Sequence, residues 1–257
     1  LKKQNRSLGI SEAEKVKIAV KSLGLDDLAP FDPTKKVIEY MIEDANSSQL
    51  VGMTLEGFSA ETASESPAPG GGSVSAYCGA LGVSLATMVA NLSSHKRGWD
   101  DRWEEFSNWA EKGEDLRRKL IRLVDQDTAA FKKIMDAYGM PKANEEEKSE
   151  RAKAIAAATK FAAQVPLEIA KTAYKSLDII EAMVEKGNPN SITDAGVGAL
   201  CARAAVRGAV MNVKINLKDF EDKAFVEESL ESASQLERDT EAREEKILAL
   251  VKIEIEG

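Results

Sequence analysis

One histidine, His95, and two cysteines, Cys78 and Cys201, are all that 257 residues provide of those types. A His-rich metal site is excluded, and a histidine relay would rest on a single ring. The cysteines stand too far apart for Cys-x-x-Cys chemistry and are too few for a secreted disulfide scaffold, so a reducing cytoplasm is the expected compartment. Basic residues are in deficit, with 35 Lys and Arg against 43 Asp and Glu and a net charge of -8. That balance argues against a nucleic-acid partner held by phosphate neutralisation. Aromatics are sparse at 5%, and the abundance of Ala, Glu, Lys and Leu points to an α-rich protein. The chain opens on Leu1 rather than Met, which reads as a fragment or a processed chain. Long uncharged runs are scarce as well. The exception, Val74 to Ser93, meets the length of a membrane span, but Ser75, Gly79, Gly82, Ser84, Thr87 and Asn91 leave it only modestly apolar. It reads as a buried central helix, and no membrane partner is expected.

The first forty-odd residues differ from the rest. Ser11 is placed to cap a helix that runs to Leu23, with Glu14 as the capping-box partner and Gly24 as the stop. Pro30-Phe31-Asp32-Pro33 makes a turn, and Lys36 to Ile42 reads as a strand that needs a partner from elsewhere. This looks like the tail of another domain. The expected division is a remnant with its linker over 1–49 and a helical domain over 50–257. In the second part the punctuation predicts helices near 54–62, 73–96, 101–138, 145–185, 191–216 and 219–255, with a kink or break after Gln164 at Pro166. Long helices on short loops imply an all-α, up-and-down helical bundle, preceded by a short α/β remnant containing one strand.

Four constellations could carry chemistry. On the helix from Asp115 to Met135, Leu116, Leu120, Leu123, Phe131 and Ile134 form an apolar stripe. Asp127 falls inside it, about 20° from Leu116 and Ile134, whereas Asp125 points to the other side. A carboxylate on a core face costs several kcal/mol unless it is paired or hydrogen-bonded, which makes Asp127 either a catalytic group or a buried structural partner. Second, Pro67 to Ser73 places Gly70, Gly71 and Gly72 before a helix with Ser73 as its N-cap. Glycines free to take positive φ would gather N–H groups toward an anion or a carbonyl oxygen, or simply start the helix. Third, Asn212 and Asn216 lie one turn apart, on a small and otherwise greasy face shared with Cys201, Ala205, Gly208 and Ile215. Asp194 opens the same helix and reads as a cap. Fourth, His95, Lys96, Arg97, Trp99, Arg102 and Trp103 could clamp an anionic ring-bearing ligand or pack at an interface. Nothing in the spacing supports a Ser-His-Asp triad.

Taken together, Ser66-Pro67-Ala68-Pro69-Gly70-Gly71-Gly72-Ser73-Val74, Leu123-Val124-Asp125-Gln126-Asp127, Val165-Pro166-Leu167 and Asn212-Val213-Lys214-Ile215-Asn216-Leu217 make residues 56–255 similar to the C-terminal cyclodeaminase domain of the formiminotransferase-cyclodeaminase family. Leu23-Gly24-Leu25, Pro30 to Pro33 and Val37 to Tyr40 resemble the closing segment of the formiminotransferase domain. The main body of that domain is missing, so no transferase activity is expected. The resemblance implies a bundle that forms a homodimer or a higher homo-oligomer, with a reduced folate, polyglutamylated or not, bound in a cleft near the dimer interface. It implies cyclisation of 5-formimidoyltetrahydrofolate to 5,10-methenyltetrahydrofolate with release of ammonia, as in histidine degradation. No metal and no permanently bound cofactor are expected; a tetrahydrofolate derivative is the substrate, and a formiminotransferase domain is a candidate partner. By motif the catalytic residue is Asp127. Gly70, Gly71, Gly72 and Ser73 are assigned to the reacting centre or a polar edge of folate, Asn212 and Asn216 to the pterin, and Lys96 or Arg97 to the glutamate tail; Asp194 joins the substrate-binding candidates. Alternatives are a methenyltetrahydrofolate cyclohydrolase of the same fold and a folate-binding helical module without turnover.

Overall fold

Small side chains on its inward faces let the segment Gly71–Ser94 pack into the centre of the molecule. The computed structural model describes residue 2 and residues 6–27, 29–38 and 50–257, and its helices are α1 (Glu12–Ser22), α2 (Pro33–Lys36), α3 (Leu55–Thr62), α4 (Gly71–Ser94), α5 (Trp103–Tyr138), α6 (Glu145–Lys186), α7 (Ile192–Leu217) and α8 (Lys223–Glu256). Helix α4 packs against α5, α6 and α7, and α8 covers α7 and α6 from outside. The result is an all-α bundle of long helices. Ala76, Ala80, Val83, Ala86, Val89 and Ala90 of α4 are essentially inaccessible, while the bulk of the core comes from Phe106 and Leu120 on α5 and Ile169, Leu177 and Ile180 on α6. Each of those large side chains contributes about 1.5–3 kcal/mol on burial. What α4 supplies is close approach. A Cβ on Gly82 would stand 2.8 Å from the carbonyl oxygen of Gly198 on α7, and one on Gly198 would stand 2.9 Å from that of Gly82, so the two backbones touch. Among the described residues α4 is the one helix long and apolar enough to cross a membrane, and most of its apolar stretch is buried inside the bundle.

Helix ends follow the capping signals. Asn144 accepts from the N–H of Glu147 at 2.8 Å to start α6, and Asp222 accepts from that of Phe225 at 3.1 Å to start α8. At the other end of the chain, Ser11 accepts from Glu14 at 3.3 Å and Gly24 takes a φ of 64°, as its place after α1 requires. The segment before α1 is fastened to α4 and α5: the Nδ2 of Asn91 donates to the carbonyl of Gly9 at 3.1 Å, and the Nε1 of Trp103 to that of Arg6 at 3.1 Å.

Two expectations are corrected. The strand read from Lys36 onward does not start there: Asp32 accepts from the N–H of Thr34 at 3.1 Å and caps a short helix over Pro33–Lys36, so Lys36 ends a helical turn. Residues 39–42 of that reading lie outside the described residues, among which no strand occurs. Pro166 does not break its helix either, since α6 runs unbroken across it. A proline lacks the N–H that would bond the carbonyl four residues earlier, here that of Ala162. The Nδ2 of Asn216 on α7 donates to that oxygen at 2.7 Å and takes the place of the missing donor.

Candidate active site

The wheel position of Asp127 becomes a contact at the start of α4. A Cβ built on Gly72 would coincide with the Asp127 carboxylate, so the carboxylate lies directly on the glycine backbone. Ser73, fully buried, is within reach of three acceptors: its Oγ lies 2.8 Å from the carbonyl of Val124, 3.1 Å from Oδ2 of Asp127 and 3.2 Å from Oγ1 of Thr128. A hydroxyl has one hydrogen, so it can serve one of these acceptors at a time, and of the three only the Thr128 hydroxyl can donate back to it. Burial pushes the Asp127 carboxyl above its ordinary value, and the side chain and backbone of Ser73 pull it partly back. The group is half-buried, with no cation paired to it among the described residues.

Two readings of the glycine run are thereby revised. The N-cap is Gly70, with no side-chain bond, and Ser73 sits inside the first turn, where its hydroxyl serves α5 instead of capping α4. None of the three glycines has positive φ; the positive-φ glycines among the described residues are Gly24 and Gly98. Gly72 is required by the carboxylate resting on it, a tertiary reason.

A cavity of about 100 Å³ opens beside this contact, and its lining includes Gly70, Gly71, Asp127, Thr128, Asn212 and Asn216. Pro67, Ala68, Phe131, Ile134 and Ala162 complete much of the wall. Helices α4 and α7 run antiparallel, which brings Asn212 against Gly71: the position of a Cβ there is 3.1 Å from Nδ2 of Asn212. Thr128 and Ala162 were missed by the sequence reading. Thr128 follows Asp127 directly, and Ala162 is marked by lying four residues before Pro166. Two wider grooves, of about 530 Å³ along α5 and α6 and about 460 Å³ among α5, α6 and α8, do not include Asp127.

Lys96, Arg97 and Asp194 are not brought to this cavity. The 24 residues of α4 span about 36 Å, and Lys96 and Arg97 follow its far end. Asp194 is in the first turn of α7, also at that pole. Within one chain the tail-binding assignment of Lys96 and Arg97 therefore has no geometric basis, and Asp194 makes no side-chain cap at its helix start. Lys96 and Arg102 are taken up locally: Nζ of Lys96 lies 4.1 Å from the Trp99 ring centre, Arg102 lies 4.6 Å from Trp99 and 4.5 Å from Phe106, and the two rings stack at 5.5 Å. His95 bonds to Ser94 at this pole, far from Ser73. The Cys78 thiol is pushed up to about 11, first by burial and then by neighbouring Cys201, which removes it as a nucleophile near neutral pH.

A partly desolvated carboxylate seated on a helix start, beside a small polar cavity inside an all-α bundle, is a candidate small-molecule site. The sequence profile of formiminotransferase-cyclodeaminase matches residues 54–235, and that of the formiminotransferase domain matches residues 1–43. The chain belongs to the formiminotransferase-cyclodeaminase family. It is 40% identical over 202 residues to a methenyltetrahydrofolate cyclohydrolase of Methylorubrum extorquens, covering 79% of this chain and 97% of that one. It is 35% identical over 246 residues to the formimidoyltransferase-cyclodeaminase of Mus musculus, covering 95% of this chain and 45% of the mouse protein. The chain thus spans less than half the length of that bifunctional relative. The crystal structure of a formiminotetrahydrofolate cyclodeaminase from Thermotoga maritima superposes with a TM-score of 0.70 at 31% identity, over 79% of this chain and 98% of the other.

Proposed function

We propose that this chain is a formimidoyltetrahydrofolate cyclodeaminase of folate one-carbon metabolism, acting in histidine breakdown in the cytoplasm, with Asp127 as its proton-transfer residue. The observation that supports this reading is the unpaired, half-buried carboxylate of Asp127 in the cavity wall. In the substrate a cationic formimidoyl group sits on N5 of the reduced folate. N10 attacks its carbon, the N10–C bond forms, and the bond to the amino nitrogen breaks. One proton leaves N10, and one must reach the departing nitrogen so that it leaves as ammonia. An ionised Asp127 accepts the first and returns it to the leaving group, a general acid-base role worth about 10²–10⁴-fold. Holding N10 against the carbon adds the advantage of an intramolecular reaction. Gly70, Gly71, Asn212 and Asn216 enclose the reacting end, while Gly72 and Ser73 do not line the cavity and instead seat the Asp127 carboxylate from behind.

A second reading, the methenyltetrahydrofolate cyclohydrolase, is favoured by the relative at 40% identity that aligns over 97% of its own length. Assaying both substrates in parallel separates the two. Ammonia release from 5-formimidoyltetrahydrofolate well above methenyl hydrolysis supports the first, and the reverse ratio overturns it. Residues 1–49 are then the end of a formiminotransferase domain with its linker, and 50–257 the cyclodeaminase domain.

Ser73 sets when Asp127 can act. Because its hydroxyl stabilises the ionised carboxylate, Ser73→Ala raises the Asp127 pKa further. The base form is needed, so the acid limb of the kcat profile moves to higher pH in this variant and activity is lost earlier as pH falls. A pH profile of initial rates checks it.

The protein forms a homodimer through α4 and α7 in this reading. Val74, Leu81, Met88 and Leu92 on α4 and Val197, Leu200, Met211 and Ile215 on α7 are exposed, and Leu200 and Ile215 are 48% and 65% accessible. The two rows are continuous, since the Cys78 thiol donates to the carbonyl of Cys201 at 3.5 Å between them. An apolar row of this length on adjoining helices marks an interface. Its Met211 and Ile215 directly precede the cavity-lining Asn212 and Asn216, and the cavity's roughly 100 Å³ is below the roughly 300–1,000 Å³ of a ligand pocket. A second copy supplies the missing wall. The double variant Leu81→Glu with Leu200→Glu sediments as a monomer and loses most of its folate affinity.

A further inference from the structure

We propose that Asn212 and Asn216 are specificity-determining acceptors that admit a reacting group bearing N–H donors and reject one of the same shape that bears only an acceptor, so the site takes a formimidoyl group and refuses a formyl group. The inference rests on the cyclodeaminase reading of the site. It begins from where the amide hydrogens go. Nδ2 of Asn212 donates to the carbonyl of Gly208 at 2.8 Å, and Nδ2 of Asn216 to that of Ala162 at 2.7 Å. A carbonyl oxygen can be faced only by a donor, so neither amide can turn over without setting oxygen against oxygen. Asn216 is held more firmly of the two, because the Ala162 carbonyl has no other donor opposite Pro166. In Asn212 the nitrogen is also the atom held against Gly71, 3.1 Å from the site of a Cβ there, with the oxygen farther at 3.7 Å.

Each Oδ1 is therefore turned away from these anchors, and neither has a hydrogen-bond partner among the described residues. Both side chains line the cavity with Asp127, and neither oxygen is among the buried polar atoms left without a partner. Asp127 and Asn212 flank the consecutive glycines Gly72 and Gly71, so the acceptors surround the place where the proton moves. A formimidoyl group offers them two N–H donors and a positive charge. A formyl group offers only an oxygen; it can accept from the second hydrogen of an Nδ2, but it brings no donor to either Oδ1 or to Asp127 and leaves those acceptors unpaired, the arrangement by which sites reject near-isosteres most strongly.

The test compares 5-formimidoyltetrahydrofolate with 5-formyltetrahydrofolate by equilibrium binding, on the wild type, Asn212→Ala and Asn216→Ala. The wild type should prefer the first by at least about 100-fold. Each variant should narrow that preference about tenfold, with the loss confined to the formimidoyl ligand. Equal weakening of both ligands would assign the amides to the part of folate the two share and overturn the proposal, as would an unchanged preference or none in the wild type. Asn212→Ala keeps the test independent of folding, since the Gly208 carbonyl lies within α7, and thermal melts check Asn216→Ala. Turnover is read separately. Preference without ammonia release sinks the cyclodeaminase reading alone, and release without preference sinks this inference alone.

Discussion

Asp127→Asn should leave a folded protein whose ammonia release is about 10²–10⁴-fold slower, the range for loss of one positioned acid-base group. Asparagine keeps the shape and can still accept from Ser73, but it cannot take the proton from N10. Substrate affinity should fall far less than kcat, because the carboxylate acts mainly at the proton-transfer step. The same substitution reports on stability. Burial holds the folded-state pKa of Asp127 above its unfolded value. The folded state therefore binds that proton more tightly, and stability is lost as pH rises from the unfolded toward the folded pKa. Above that window the wild type carries a destabilising charge that the variant lacks. Asp127→Asn should melt at a higher temperature than the wild type at pH 7.5, with the difference shrinking toward pH 4. A slower enzyme that is also less stable at pH 7.5 would point to a structural carboxylate.

Gly72→Ala should cost nearly as much activity through one methyl group. The new Cβ occupies the volume of the Asp127 carboxylate, so the side chain must swing out of the cavity. What moves is a short side chain rather than a backbone, and the destabilisation should stay within the roughly 1–3 kcal/mol of ordinary overpacking. Far-ultraviolet circular dichroism should be unchanged while kcat falls at least about 100-fold. Because both substitutions remove one function, the double variant should be no slower than the slower single one, a non-additivity that separate roles for Gly72 and Asp127 would not produce. Gly71→Ala meets the Asn212 amide at 3.1 Å instead and should be the milder change.

The sequence displays most of the bundle because its boundaries rest on local chemistry. Asn144 and Asp222 cap α6 and α8 with their own side chains, and the helix starts fall within a few residues of those signals. Asp127 was legible for a related reason: a charge within a stripe of Leu120, Leu123 and Ile134 is anomalous under any packing of that helix. The reason for the glycines was not. It depends on a carboxylate 55 positions along the chain, so the local rule returned positive φ where the structure needs empty space. Pro166 misled in the same way, because its repair comes from Asn216 on another helix. Lys96, Arg97 and Asp194 have the right chemistry for a folate tail, but composition carries no information about which pole of a bundle a loop occupies.

The helix at the centre of this bundle is synthesised before the three helices that bury it. Its buried faces are closed by α5, α6 and α7, the last of which ends at Leu217, more than a hundred residues after Ser94. Throughout that interval of translation a 24-residue segment without a single charge waits for its covering helices, so the order of elements makes α4 the sticky part of the nascent chain and the natural client of a chaperone.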